Sequence, residues 1–181
     1  DAAIATRLFH KPLVVRCGYL WSDFFKQEHG ATWKQPWVER IEGWALRAAN
    51  RIVVATERDR RRLAARYGLP LARILVIPNA VETERFRPMP DVPKAPGLLC
   101  CVAKCEEQKN VFALLEALRG VPQVTLRVVG DGSLRPSLQR YAQAHRLPVE
   151  WMGTVPNDRL PAILNSAQAF VLPSRYEGHP K

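Results

Sequence analysis

The sequence predicts an α/β fold with parallel, doubly wound sheets, and three observations carry that expectation. Short runs rich in Val, Ile and Leu alternate with segments whose apolar residues recur at helical spacing. Pro or Gly punctuates the change-overs, as at Pro12, Gly68, Pro78, Gly130, Gly153 and Pro173. Polar residues suited to ligand contact follow the strand-like runs, where parallel sheets bind their ligands.

Leu13 to Arg16 reads as a first strand entered through Pro12, and Cys17 to Gly30 as an irregular aromatic stretch with Tyr19, Trp21, Phe24 and Phe25. A helix is predicted from Pro36, with Trp37, Ile41, Trp44 and Ala48 as its core-facing stripe and Val38 and Ala45 widening it. Ile52 to Ala55 is the second strand. Thr56 is placed to cap an arginine-rich helix carrying Arg58, Arg60, Arg61, Arg62 and Arg66, which Gly68 ends. Ile74 to Ile77 is the third strand.

From Asn79 to Gly97 periodicity lapses and Pro88, Pro90, Pro93 and Pro96 accumulate. We therefore expect a first domain over residues 1–79, a linker over 80–97 and a second domain over 98–181. The second series begins with a strand from Leu98 to Ala103 and a polar loop from Lys104 to Lys109. Asn110 then caps a helix with Val111, Leu114, Leu115 and Leu118 on one side. Val124 to Val129 is a strand turned by Gly130-Asp131-Gly132, before a helix burying Leu134, Leu138, Tyr141 and Ala142. Val149 to Met152, a helix with Leu160, Ile163 and Leu164, and a buried strand at Phe170-Val171-Leu172 complete the order. Gly178 supplies a sharp turn after the last loop.

Composition narrows the function. Of 181 residues 47% are hydrophobic, enough for a sizeable core, and the net charge of +10 points to an anionic partner or a solvated basic surface. Cys17, Cys100, Cys101 and Cys105 show no CxxC spacing and read as reduced thiols of a cytosolic protein. The four histidines have no metal-ligand spacing with one another or with cysteine. No segment is apolar enough to span a bilayer, and Asp1 to Arg7 lacks the features of a signal peptide. Without an initiator Met, the chain reads as a piece of something longer.

In the second half Lys104, Lys109, Asp131, Thr154, Asn157, Ser174 and Glu177 each follow a strand, so a parallel sheet brings them to one rim. Lys104 and Lys109, around a helix start, suit a dianion such as a diphosphate, although exposed lysines are common. Gly130-Asp131-Gly132 is not a dinucleotide fingerprint, because Arg135 stands where the third glycine belongs, and it reads as a tight turn.

Five motifs in this register carry a resemblance: Ile77-Pro78-Asn79-Ala80-Val81; Lys104 to Lys109-Asn110; Val129-Gly130-Asp131-Gly132; Met152-Gly153-Thr154-Val155; and Leu172-Pro173-Ser174 with Glu177-Gly178. The sequence resembles family 4 of the retaining glycosyltransferases, firmly from about Ile52 to the end. The resemblance implies the GT-B architecture, two Rossmann-like domains, and transfer of a sugar from a nucleotide-sugar donor to a sugar or lipid-linked acceptor without a metal or other cofactor. It implies that Lys104 and Lys109 hold the diphosphate, that Val155 and Asn157 lie at the nucleotide base, and that Gly130 and Ser174 complete the donor site. Glu177 is implied as the catalytic-site carboxylate that grips donor-sugar hydroxyls.

Departures from the family pattern accompany these matches. Ala103-Lys104 replaces Gly-Arg, which keeps the charge but loses the guanidinium fork. Ala80 replaces a glycine. Gly18 stands where many members place a catalytic His, so that role is unassigned. The glycine-rich acceptor loop and the second Glu of the family's carboxylate pair are expected beyond the two ends.

Two other functions compete. Trp33, Trp37 and Trp44 with Lys34, Arg40 and Arg47 suggest a non-catalytic basic module binding a membrane or a partner, against the simpler reading of core tryptophans. The helix from Arg58 to Arg66 suggests nucleic-acid binding, which no platform or helix-turn-helix motif supports, so no nucleic-acid partner is expected. The expected location is the cytoplasm, peripheral to a membrane where the acceptor is a lipid.

Overall fold

The computed structural model describes residues 4, 6, 9–18, 20–30 and 32–177; Tyr19, Gly178 and His179 lie outside them. The chain separates into two compact units, residues 1–80 and residues 81–177.

The first unit is a parallel sheet of β1 (Val14–Cys17), β2 (Arg51–Val54) and β3 (Ile74–Val76) in that order. Val15 lies beside Ile52, and Ile52 beside Ile74. Helices α1 (Trp21–His29) and α2 (Gln35–Ala48) connect β1 to β2, and α3 (Glu57–Tyr67) follows β2. Thr56 caps α3 by accepting the Asp59 N–H at 3.0 Å, and Gly68 closes it in the left-handed conformation, as the sequence predicts. Leu20, Leu46, Ile52, Leu63 and Ile74 form the core.

Two parts of this unit differ from expectation. The aromatic stretch is helical from Trp21 to His29. Its first turn is held from α2: a Glu42 carboxylate oxygen accepts the Trp21 N–H at 2.6 Å, and the other accepts the Ser22 hydroxyl at 2.5 Å. A cap supplied from another helix leaves no signature in the local sequence.

The tryptophan stripe of α2 faces outward. Trp37, Ile41 and Trp44 are 58%, 55% and 39% exposed, whereas Val38, Gly43 and Leu46 are buried. The inner side of α2 must deliver Glu42 to Ser22 and to the Tyr67 hydroxyl. It must also lay Gly43 against the Tyr67 ring, where an added Cβ would sit 2.8 Å from a ring carbon. Burying the tryptophans would require turning both features away from their partners.

The arginines of α3 are largely engaged within the protein. Arg60 and Arg61 pair with Glu57, Arg62 and Arg66 pair with Asp23, and Arg66 also reaches Glu39. Little of that charge is left to face a nucleic acid.

The second unit is a four-stranded parallel sheet of β4 (Ala95–Val102), β5 (Thr125–Val129), β6 (Val149–Gly153) and β7 (Ala167–Phe170), in the order β6-β5-β4-β7. Alternation along β4 explains the double winding. Leu99 and Cys101 pack toward α4 (Val111–Leu118) and α5 (Arg135–Ala144), with Leu115, Leu126, Val128 and Leu138. Leu98 and Cys100 pack on the other side toward α6 (Leu160–Ser166), with Val129 and Ala167.

β7 lies earlier in the chain than the run Phe170-Val171-Leu172 suggests, and it is an edge strand among the described residues. Its apolar tail extends the ladder by one bond, Val171 N–H to the Cys100 carbonyl at 2.9 Å, and then enters the loop. The proline-rich segment is docked rather than free. The Asn165 side chain accepts the Met89 N–H at 2.9 Å and donates to the Arg87 carbonyl at 3.0 Å, and β4 starts at Ala95.

Candidate functional site at the carboxyl ends of the second sheet

Because all four strands of the second unit run parallel, the loops that leave them share one rim. Backbone bonds lace these loops together. The Ala103 N–H reaches the Val129 carbonyl at 2.9 Å, Cys105 N–H reaches Asp131 at 3.0 Å, and Gly130 N–H reaches Gly153 at 2.7 Å. Gly130, at φ 131°, lies so close to the Ala103 carbonyl that a Cβ would overlap its oxygen, and a Cβ on Gly132 would come within 2.6 Å of the Cys105 oxygen. The Gly-Asp-Gly turn is thus the seam between the loops after β4 and β5.

The loop after β4 forms a 3-10 turn at Glu107–Lys109, and Asn110 follows at φ 51° in the left-handed region. Asn110 makes no side-chain cap for α4, contrary to expectation. Its amide instead donates to the Pro173 carbonyl at 3.4 Å. Gln108 adds two bonds to the same loop: its side chain donates to the Tyr176 carbonyl at 3.1 Å, and its carbonyl accepts the Arg175 N–H at 2.9 Å. Arg175 pairs with Glu107 at 2.7 Å. The segment after β7 is therefore strapped across the loop after β4.

That strap brings together two of the residues singled out in the sequence. Lys109 Nζ lies 2.6 Å from Glu177 Oε1, and the two side chains are only 23% and 25% exposed. Partial burial pushes the Glu177 carboxyl up, but the Lys109 ammonium bonded to it outweighs this and holds it below the usual carboxylate value. Ser174 lies in the same strap and adds a smaller downward push on Glu177, although its buried Oγ has no partner at hydrogen-bonding geometry.

The remaining predicted residues spread along the rim. Lys104 is exposed at the exit of β4, and its ammonium has no ion-pair partner among the described residues. Val155 is half-buried and packs on the α6 side of the sheet with Leu160 and Ile163, whereas Asn157 is exposed. Asp131 is exposed but ionises readily, held low by the Gly132 N–H at 2.8 Å and by Arg135 at 2.7 Å. Sequence reasoning missed this pair, although its i, i+4 spacing was readable. It also missed the strap by Gln108 and Asn110, whose partners lie more than 60 residues away. Among the described residues no cluster of three or more His, Cys, Asp or Glu could hold a metal ion, and no helix is long and apolar enough to cross a membrane.

This geometry can be set beside known proteins. Residues 82–180 match the family model described as glycosyl transferases group 1, and residues 1–85 match that of glycosyltransferase family 4. Glycogen synthase of Mycobacterium tuberculosis is 29% identical over 147 residues, 77% of this chain and 36% of the synthase. The GDP-mannose-dependent alpha-(1-6)-phosphatidylinositol monomannoside mannosyltransferase of Mycolicibacterium smegmatis is 30% identical over 145 residues, 72% of this chain and 38% of that enzyme. The chain thus spans well under half the length of these relatives. The crystal structure of Anabaena HepE in complex with UDP and glucose superposes with a TM-score of 0.76 at 17% identity, over 98% of this chain and 50% of that one. At such identity the likeness speaks for the fold, which is GT-B. Matched by the group 1 model over more than half its length, the chain belongs to the glycosyl transferases group 1 family.

Proposed function

We propose that the chain is the middle part of a retaining glycosyltransferase, and that the rim of its second unit binds a nucleotide-sugar donor. The observation that carries this reading is the Lys109–Glu177 pair, a cation and a carboxylate held together at the carboxyl ends of a parallel sheet. Lys109 and Lys104 take the diphosphate. As the bond between the sugar and the diphosphate breaks, negative charge grows on the departing nucleoside diphosphate, and fixed positive charge there lowers the barrier without a metal. Glu177 accepts hydrogen bonds from donor-sugar hydroxyls, while Val155 and Asn157 border the base and Gly130 and Ser174 complete the wall. Anabaena HepE, solved with UDP and glucose, and the GDP-mannose-dependent relative support a nucleotide-sugar donor. The mannosyltransferase relative, which acts on a phosphatidylinositol monomannoside, supports a lipid-linked acceptor.

On this reading the 181 residues alone lack parts of both substrate sites, and catalysis by positioning fails when reacting groups are not held together. The test pairs this chain with a natively extended form in assays against a panel of nucleotide-sugars. The extended protein transfers sugar with retention at the anomeric carbon, and the chain alone gives neither transfer nor donor hydrolysis. Turnover by the chain alone would refute the fragment reading. An extended protein with no activity on any donor would refute the assignment of the site.

A further inference from the structure

The outward stripe of α2 has a chemistry of its own. Trp33, just before the helix, is 77% exposed and continues the line of Trp37, Ile41 and Trp44. Along α2, Trp37 to Trp44 cover about two turns, roughly 10 Å of helix. At about 100° per residue, the line lies half a turn from buried Leu46 and roughly a quarter turn from buried Val38. A surface helix that buries one apolar face normally leaves a polar face to water; α2 carries its largest apolar side chains on the side that should be polar.

Charge is sorted along the same division. The acidic residues of α2, Glu39 and Glu42, serve the inner network: Glu39 binds Arg66 at 2.8 Å and Gln35 at 3.0 Å, and Glu42 binds Ser22 and Tyr67. The basic residues Lys34, Arg40 and Arg47 are exposed. Lys34 sits 5.6 Å from the Trp33 ring, and Arg40 sits 5.5 Å from the Trp37 ring. The outer side therefore offers tryptophans flanked by cations, in a chain of net charge +10. Tryptophan rings favour the boundary between lipid headgroups and acyl chains, and flanking Lys and Arg attract anionic headgroups. Protein interfaces are also rich in tryptophan and arginine but depleted in lysine, so Lys34 and the net charge of +10 are what favour an anionic bilayer.

We propose that α2 is a membrane-docking helix, which lies in the interface of an anionic bilayer through Trp33, Trp37, Ile41 and Trp44. The surface belongs to the first unit and is independent of the donor-site assignment.

The experiment uses the longest native form of the protein with vesicles of phosphatidylcholine containing phosphatidylglycerol, and with pure phosphatidylcholine vesicles as the reference. The protein floats with the anionic vesicles, its tryptophan emission shifts to the blue, and brominated acyl chains quench it. A W33S/W37S/W44S variant loses binding about tenfold or more, with unchanged circular dichroism and unchanged UDP binding. A K34Q/R40Q/R47Q variant keeps every aromatic side chain and loses the preference for anionic vesicles, which secures the test if the first variant folds poorly. Failure of the wild type to bind either vesicle overturns the proposal. So does concentration-dependent self-association abolished by the tryptophan changes, which would assign the face to a second copy. Tryptophans already shielded from acrylamide without lipid would assign it to another segment of the same protein.

Discussion

Lys109 and Glu177 stand 68 residues apart in the chain and meet at 2.6 Å, so the cation assigned to the donor diphosphate is already engaged by the carboxylate assigned to the donor sugar. Each neutralises the other before a substrate arrives. On the proposed reading a diphosphate has to compete for Lys109, and Glu177 is freed for hydroxyls only as that competition succeeds. Glu177→Gln keeps an acceptor for the ammonium but removes the competing charge. UDP binding by calorimetry is expected to tighten a few-fold, while transfer in the extended protein falls by about tenfold to a thousandfold. Parallel losses in binding and transfer would contradict this division of labour.

The same pair sets an acid limit. The folded carboxyl of Glu177 is held below its ordinary value of 4.5, so its stabilisation is present above that value and is lost as pH falls through the lower folded value. The difference in unfolding free energy between wild type and Glu177→Gln, about 1 kcal/mol or less, should stay constant from neutrality to about pH 5 and vanish in stronger acid.

Lys104→Ala and Lys109→Ala should each weaken UDP binding about tenfold to a hundredfold, since hydrogen bonds to charged groups contribute about 1.5–3 kcal/mol. Lys104→Arg should retain or improve it through the guanidinium fork. Titrations across a salt series check this, and wild-type binding should weaken as salt rises.

Gly130→Ala forces a Cβ onto the Ala103 carbonyl oxygen at a backbone angle that side chains avoid. A loss of about 2–4 kcal/mol in denaturant unfolding of the second unit is expected. The equivalent change at Gly120, where the nearest atom lies 3.8 Å from the added Cβ, should cost far less.

Tyr67 tests the network that orients α2. Burial and its bond to Glu42 raise its hydroxyl from 10.0 to about 12. The folded state therefore holds this proton more tightly than the unfolded one. The resulting stability is intact below pH 10 and is lost as pH climbs toward 12. Tyr67→Phe should cost about 1–3 kcal/mol at neutral pH by depriving Glu42 of a donor, and it should flatten the alkaline decline in melting temperature.

The parts of the fold that were readable from the sequence are those governed by local signals. The β-branched runs, the Thr56 cap, the Gly68 stop and the alternation of strand and helix determined the parallel sheets, and with them the rim that gathers Lys109, Ser174 and Glu177. What escaped depended on partners far along the chain. Trp21 to His29 is helical because Glu42 satisfies its first turn. Asn110 leaves its expected cap because Pro173 offers a carbonyl. The orientation of α2 was misread because its two apolar stripes have the same period, and only Glu42, Gly43 and Tyr67 decide between them.

The cysteines give each unit its own clock. Cys100, Cys101 and Cys105 are fully buried in the second unit, and burial pushes their thiols up, Cys101 to about 12; Cys17 in the first unit is raised to about 11, by burial and then by Glu42. Alkylating reagents attack thiolates, so none of the four should react at neutral pH until its surroundings open. Peptide mapping after timed exposure to iodoacetamide would then read two opening rates from one unlabelled, unmutated sample. UDP should slow the triple label of the second unit and leave Cys17 unchanged, so the donor site can be followed without a spectroscopic probe or an active enzyme.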